Sequence, residues 1–287
     1  MKKHIMNVLI GQCIWGLLPL FWLLLQQVPA LYILANRIIW SAVLCVIILF
    51  IQKKFSLSVC LRQIKKEWLY ILGACLMITC NWAIFIYSMT HEYILQSSLA
   101  YFVNPVVVIF FGGILFHEPL SRLQKLAVFF ASLGFVIAIF LYGEVPYIAI
   151  LTCATWAAYS LLKKRITLDS LLSVGLESIS MVPFALLFIF FSEWNHIGAY
   201  GVLTGWQWLL LPATGPVTAI PMLFFTAGIK YAPITVSGIC LYVSPTLSLI
   251  IGLLTGEAFT IPLQITFFFT GISIILYLTG LFLQYKQ

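Results

Sequence analysis

The sequence predicts an all-α integral membrane protein of ten transmembrane helices, arranged as two inverted five-helix repeats. Three observations predict it: apolar runs of membrane-crossing length, basic residues confined to one face, and residue matches that recur 140 positions apart. The composition is 63% hydrophobic and 8% charged, with a mean hydropathy of +1.10. A soluble chain of 287 residues could not cover that much apolar side chain, so lipid must be its solvent. In lipid only helices or closed barrels satisfy the backbone, and runs such as 31–51 are continuously apolar rather than alternating, which selects helices.

At about 20 apolar residues per crossing, spans fall near 5–25, 31–51, 68–88, 94–116, 126–142, 147–162, 171–191, 207–229, 234–255 and 261–283. The N-terminal stretch holds Trp15, Pro19 and Trp22 and lacks a small-residue cleavage site, so it reads as a retained helix rather than a signal peptide. With the N-terminus inside, fourteen of the 15 Lys and Arg residues fall on the cytoplasmic face. They are Lys2, Lys3, Lys53, Lys54, Arg62, Lys65, Lys66, Arg122, Lys125, Lys163, Lys164, Arg165, Lys230 and Lys286. Arg37 alone lies within a span. The net charge of +7 therefore points to the anionic cytoplasmic leaflet as partner and not to nucleic acid.

The repeat divides the chain into residues 1–143 and 144–287. Trp68-Leu69 returns as Trp208-Leu209, and Phe102-Val103-Asn104-Pro105 as Tyr242-Val243-Ser244-Pro245. Gly112 returns as Gly252, and Leu123-Gln124 as Leu263-Gln264. Five spans per copy is an odd number, so the second copy starts on the opposite face. Such inversion is a plan used by secondary transporters, with the solute site between the halves.

Chemistry-bearing motifs are absent from the sequence: no HExxH, GxSxG, P-loop or dinucleotide fingerprint occurs. The seven cysteines are odd in number and never spaced CxxC, which argues against a zinc site or a disulfide framework. No cofactor, no metal and no catalysis are expected. Ser121 and Gln124 fit a capping box before the fifth span, with Thr260 in the matching place before the tenth. Glu118 and Glu257, just after the fourth and ninth spans, read as loop-ordering carboxylates.

Arg37 and Glu177 stand 140 residues apart at equivalent positions of the second and seventh spans. Charges at such depth cost about 3 kcal/mol or more, so they should face the protein interior. Three readings stand: a solute-carboxylate or coupling site in which Glu177 takes a proton, a structural ion pair between the halves, or snorkelling to the nearer interface. Candidate solute contacts are Trp15 on the first span, Asn81 and Trp82 on the third, and Tyr101 and Asn104 on the fourth. Trp156 and Tyr159 on the sixth, Thr218 on the eighth, and Tyr242 and Ser244 on the ninth complete the set. Aromatic walls suit an apolar or cationic organic solute, or simply fill space. Pro105 and Pro245 should bend the fourth and ninth spans. Pro212, Pro216 and Pro221 crowd the eighth too closely for a regular helix.

Five stretches together resemble a known family: residues 15–22, 36–41, 98–105, 215–221 and 238–245. They are similar to the RarD-like branch of the EamA transporters, within the drug/metabolite transporter superfamily, across essentially the whole chain. The resemblance implies ten helices in two inverted repeats, both termini cytoplasmic, and the bacterial cytoplasmic membrane. It leans toward export. Where that branch carries His before the Arg of the second span, this chain has Asn36. The expected function is secondary-active transport of a small organic metabolite or drug by alternating access, driven by a proton or solute gradient. The alternative is a non-transporting membrane sensor or scaffold that binds such a solute.

Overall fold

The computed structural model describes residues 2–52, 57–90, 94–142, 145–256 and 259–286. Among them the chain forms eleven α-helices and two short 3-10 helices, with no strand. They are α1 (Lys2–Trp22), α2 (Ala30–Gln52), α3 (Leu57–Thr90), α4 (Ile94–Leu115), α5 (Arg122–Tyr142) and α6 (Tyr147–Arg165). There follow α7 (Ser170–Trp194), α8 (Leu210–Ile229), α9 (Ile234–Cys240), α10 (Val243–Leu254) and α11 (Ile261–Lys286). Eight segments are long and apolar enough to cross a membrane, α9 and α10 counting as one of 21 residues, Ile234–Leu254. The protein is an all-α, multi-pass membrane protein.

The bundle is built from packed helix pairs. α5 packs along α11 at one flank, and α2 along α7 at the other. Between them α1 packs on α8 and α10, α6 on α3 and α4, α2 on α8, and α4 on α9. The buried core runs through this middle group, with Val108, Phe225, Ile234 and Tyr277 fully enclosed. Lipid replaces water around it, so Phe50, Phe140, Leu254 and Ile275 stand exposed without cost.

Close helix crossings depend on two glycines. A Cβ on Gly215 of α8 would lie 2.4 Å from the backbone carbon of Trp40 in α2. A Cβ on Gly112 of α4 would lie 2.4 Å from Ile234 at the start of α9, so the expected small-residue packing at Gly112 is present.

The prolines act unequally. α4 runs unbroken through Pro105. The ninth span is broken instead: at Leu241 and Tyr242 the backbone N–H groups bond three residues back, to Gly238 and Ile239 at 3.1 and 3.2 Å. Pro245 brings no N–H to the Leu241 carbonyl, and that missing bond coincides with the break. The eighth span corrects the expectation of irregular backbone: α8 is a continuous helix with Pro216 and Pro221 inside it. Pro212 falls in its first turn, where no intrahelical N–H bond is due. The other two sit in a largely buried helix whose neighbours hold it in register.

The capping box forms as expected, with Gln124 N–H donating to Ser121 Oγ at 3.3 Å and Ser121 N–H to Gln124 Oε1 at 2.8 Å. Thr260 does not match it. Its hydroxyl has no partner, and only its carbonyl accepts, from Gln264 N–H at 2.9 Å. Glu257, Lys53 and Lys54 lie outside the described residues.

Gly215→Ala should lower the thermal stability of the detergent-purified protein by about 1–3 kcal/mol, as overpacking does. Gly271→Ala, in α11 with nothing within 4 Å of a new Cβ, should be neutral or stabilising by up to about 1 kcal/mol. Equal melting shifts for the two would contradict the α2–α8 contact.

Candidate functional site: a central cavity above a polar clasp

One end of the bundle gathers the chain start and the connections near residues 118, 166 and 231. The His4 ring meets that of Tyr231 at a tilt of 45°, 4.8 Å between centroids, and Lys164 Nζ donates to the Ala232 carbonyl at 2.5 Å. This end is closed by a polar clasp. After α4, His117 takes φ 52°, the left-handed conformation that ends helices. Glu118 is thereby turned toward α9. Its carboxylate accepts from the backbone N–H groups of Ile234 and Thr235 at 2.8 and 3.0 Å and from the Thr235 hydroxyl at 2.7 Å. Lys164 stands 3.5 Å from the same carboxylate. The loop-ordering expectation for Glu118 is met with an added role, since it neutralises the exposed N–H groups of a helix start.

Glu67 of α3 acts similarly, accepting from Thr167 N–H at 2.8 Å and from its hydroxyl, while Asp169 caps α7 by accepting from Leu171 N–H at 2.9 Å. Lys230 donates to the carbonyls of Thr167 and Leu168. Burial pushes its ammonium below the usual lysine range, with Asp169 opposing.

Deeper in, Lys163 Nζ lies 2.5 Å from Glu177 Oε1, with the two side chains 0% and 4% exposed. Lys163 also donates to Ser173 Oγ at 2.6 Å, and Tyr159 OH donates to Glu177 Oε2 at 3.0 Å. Two expectations are corrected here. Glu177 pairs with Lys163 rather than Arg37, and Lys163 is no loop residue but a buried member of α6. The sixth helix runs three residues beyond the expected end at 162, which carries Lys163 inward. Lys163 follows Trp156 and Tyr159 at helical spacing, so a signal for this placement was present.

Toward the other half lies a cavity of about 360 Å³. α1 contributes Trp15 and Trp22 to it, α2 contributes Arg37, and α3 contributes Asn81 and Trp82. α4 supplies Tyr101 and Asn104, and α6 supplies Thr152 and Trp156. Thr218 comes from α8, Leu241 from the break, and Ser244, Pro245 and Ser248 from α10. Nine of the twelve expected contacts thus meet on one wall system: Trp15, Arg37, Asn81, Trp82, Tyr101, Asn104, Trp156, Thr218 and Ser244. Tyr159, Glu177 and Tyr242 do not line it. The first two belong to the buried ion-pair cluster, and Tyr242 is 2% exposed within the core. Pro245 lines the cavity, as does Pro19 of α1, whereas Pro105, Pro212, Pro216 and Pro221 do not. Trp22 and Gln12 line it without having been singled out among the expected contacts. Trp22 has the look of an interfacial ring in the sequence, and only its proximity to Arg37 reveals its place.

The cavity polar groups are held from behind. Arg37 Nε donates to Thr218 Oγ1 at 2.9 Å, and its guanidinium carbon lies 5.0 Å from the Trp22 ring and 5.8 Å from that of Trp82. Asn81 Nδ2 donates to the Thr152 carbonyl and Thr155 hydroxyl at 2.9 and 3.0 Å. Trp15 and Trp156 meet edge to face at 5.6 Å, with Phe225 behind both. Among the described residues no group of three or more His, Cys, Asp or Glu side chains could hold a metal ion.

An apolar helical bundle with a lined central cavity defines a membrane transporter of the drug/metabolite type when set beside known proteins. The EamA-like transporter family profile matches residues 2–140. The chain is 40% identical over 255 residues to "Uncharacterized transporter YojE" of Bacillus subtilis, covering 88% of this chain and 85% of that one. It belongs to the EamA-like transporter family. Within it the chain is RarD-like: it is 30% identical over 292 residues to "Protein RarD" of Salmonella typhi, covering 100% of this chain and 98% of that one. A solved protein crystal structure shares the fold, at a TM-score of 0.71 and 15% identity over 96% of both chains.

Glu177→Gln should destabilise the protein by about 3–5 kcal/mol, since it leaves Lys163 buried without a counter-charge. Adding Lys163→Met should recover part of that loss. Denaturation of both variants in detergent checks this, and an additive double mutant would remove the pair as a unit.

Proposed function

We propose that this chain is a secondary-active exporter of a small organic solute in the bacterial cytoplasmic membrane, with both termini cytoplasmic. Residues 1–143 and 144–287 act as two inverted five-helix halves that rock to expose the cavity to one side at a time. The observation that carries the reading is the cavity of about 360 Å³ set away from the clasped end of the bundle. That volume suits a small organic molecule. With the clasp facing the cytoplasm, the cavity belongs to the outer half, so the conformation is outward-open.

Support for inversion comes from the packing. Exchanging α1 with α6, α2 with α7, α3 with α8, α4 with the α9–α10 pair and α5 with α11 maps most of the main contacts onto themselves, the exception being α2 on α8, whose image, α7 on α3, is slight. α1 on α8 becomes α6 on α3, and α1 on α10 becomes α6 on α4. The pairs α2–α7, α5–α11 and α4–α9 cross the exchange axis. The basic residues at the clasped end favour the cytoplasm. The energy source is a proton or solute gradient, with the Lys163–Glu177–Tyr159 cluster as the buried titratable set. The absence of any catalytic constellation in the sequence supports a non-enzymatic role.

A compound panel scored by thermal stabilisation of the purified protein should yield ligands that also cross proteoliposome membranes carrying it. Binding without flux for every hit would replace the transporter with a solute sensor. Pro245→Ala, which restores an N–H opposite the Leu241 carbonyl, should leave binding within about twofold and slow flux about tenfold or more. Unchanged flux would remove the break as a moving joint.

A further inference from the structure

The corrected pairing of Glu177 leaves Arg37 as a cation without a counter-charge. Among the described residues it makes no salt bridge, and no carboxylate lines the cavity it borders. Its Nε is committed to Thr218. The opposite edge of the guanidinium, with its terminal nitrogens, has no hydrogen bond among the described residues. Trp22 and Trp82 flank the group and fix its plane without neutralising it.

A second observation lies on the same walls. The side-chain amides of Gln12 and Asn104, 3% and 6% exposed, each leave a polar atom without a partner. Buried polar groups are normally satisfied, and in hydrocarbon an unmet one costs several kcal/mol. A fork-shaped cation and two unfilled amides around one apolar space describe a site waiting for a polar head on an apolar body.

We propose that the cavity binds a monoanionic organic solute, a single carboxylate on an apolar ring-bearing body, with the carboxylate on the free edge of Arg37. Charge selects the class. Arg37 is the only charged side chain lining the cavity among the described residues, so one negative charge is neutralised and a second would be stranded. A phosphate monoester, at roughly −1.5 to −2, leaves that excess, whereas a carboxylate does not. An organic cation would meet Arg37 as a like charge, which reverses what the aromatic walls alone suggest. Geometry points the same way, because a guanidinium held at Nε presents its remaining N–H groups as a flat fork matched to a carboxylate. Trp15, Trp22, Trp82 and Trp156 supply flat apolar faces for the ring.

This inference rests on the reading of the cavity as a solute site, and its test separates the two. Isothermal titration of the full-length protein in nanodiscs uses three probes on one phenylpropyl frame: 3-phenylpropionate, its isostere 3-phenylpropanamide, and the cation 3-phenylpropylamine. The acid should bind about ten- to a hundredfold more tightly than the amide, the range expected for hydrogen bonds to a charged group. The amine should bind more weakly still. Arg37→Gln should abolish the preference for acid over amide, and Arg37→Lys should keep part of it. If Arg37→Gln does not fold, Thr218→Val, which releases the guanidinium from behind, should reduce the preference severalfold. Equal binding of acid and amide by the native protein, tighter binding of the amine, or no acid binding at millimolar concentration would overturn the proposal. Flux in proteoliposomes is scored separately. Acid-selective binding without flux keeps the anion site and sinks transport, while flux of neutral or cationic solutes alone keeps transport and sinks the anion site.

Discussion

Lipid offers no hydrogen-bond partner, and the arrangement of polar groups in this bundle follows from that constraint. Most satisfy themselves locally. Thr79, Ser132, Ser160, Thr246 and Thr266 each return a hydroxyl to the carbonyl four residues back. Others pair between helices, as Asn81 does with Thr152 and Thr155, and Glu177 with Lys163. The groups left over are few, and several converge: the free edge of Arg37 and the open amide atoms of Gln12 and Asn104 all border one cavity. In water such leftovers would mean little. In a membrane core each is an energetic liability, and these three share one cavity.

The clasp obeys the same constraint from the other direction. Helix starts expose N–H groups and helix ends expose carbonyls, and at the terminus end of the bundle charged side chains supply both kinds of partner. Glu118 and Glu67 take the donors of α9 and of the strap before α7. Lys164 and Lys230 take the acceptors at Ala232, Thr167 and Leu168. These contacts tie α3, α4 and α6 to the segments around α7 and α9, which belong to different parts of the chain. Each bond is also one that water could replace. A closure made of exchangeable polar contacts, rather than of packed apolar side chains, is one that can open without unfolding a helix.

Much of this was legible in the sequence because the relevant signals are dense. Long apolar runs locate the helices, and helical spacing places Trp15, Asn104 and Trp156 each on a face with other polar or aromatic residues. What was not legible came from partners chosen across the bundle. Lys163 shares a helical face with Trp156 and Tyr159, but nothing near Glu177 in sequence names it as the partner. A basic residue near a span end is also ordinarily solvated. Trp22 carries no local mark of a cavity. The prolines show a further limit: Pro216 and Pro221 remain inside a helix while Pro245 sits beside a break.

Pro105 and Pro245 occupy equivalent positions, yet α4 is continuous and the ninth span is broken. If residues 1–143 and 144–287 are two copies of one unit, one motif holds two backbone states within a single conformation. Sequence differences between the copies are small at this point: Tyr101, Asn104 and Val108 against Leu241, Ser244 and Ser248. Under the alternating-access reading the asymmetry has a consequence. If the halves are equivalent by inversion, exchanging their backbone states yields the mirror conformation, with α4 broken, the ninth span straight and the cavity facing the cytoplasm. The contact between Gly238 and Ile109, where a Cβ would come within 2.4 Å, lies between these two helices. A joint packed that closely transmits a change in one helix to the other, because neither can straighten or bend without moving its neighbour. The two proline helices are then one mechanical element with two discrete arrangements, and Arg37 and Thr218 stand beside it, on α2 and α8, where the solute would be held.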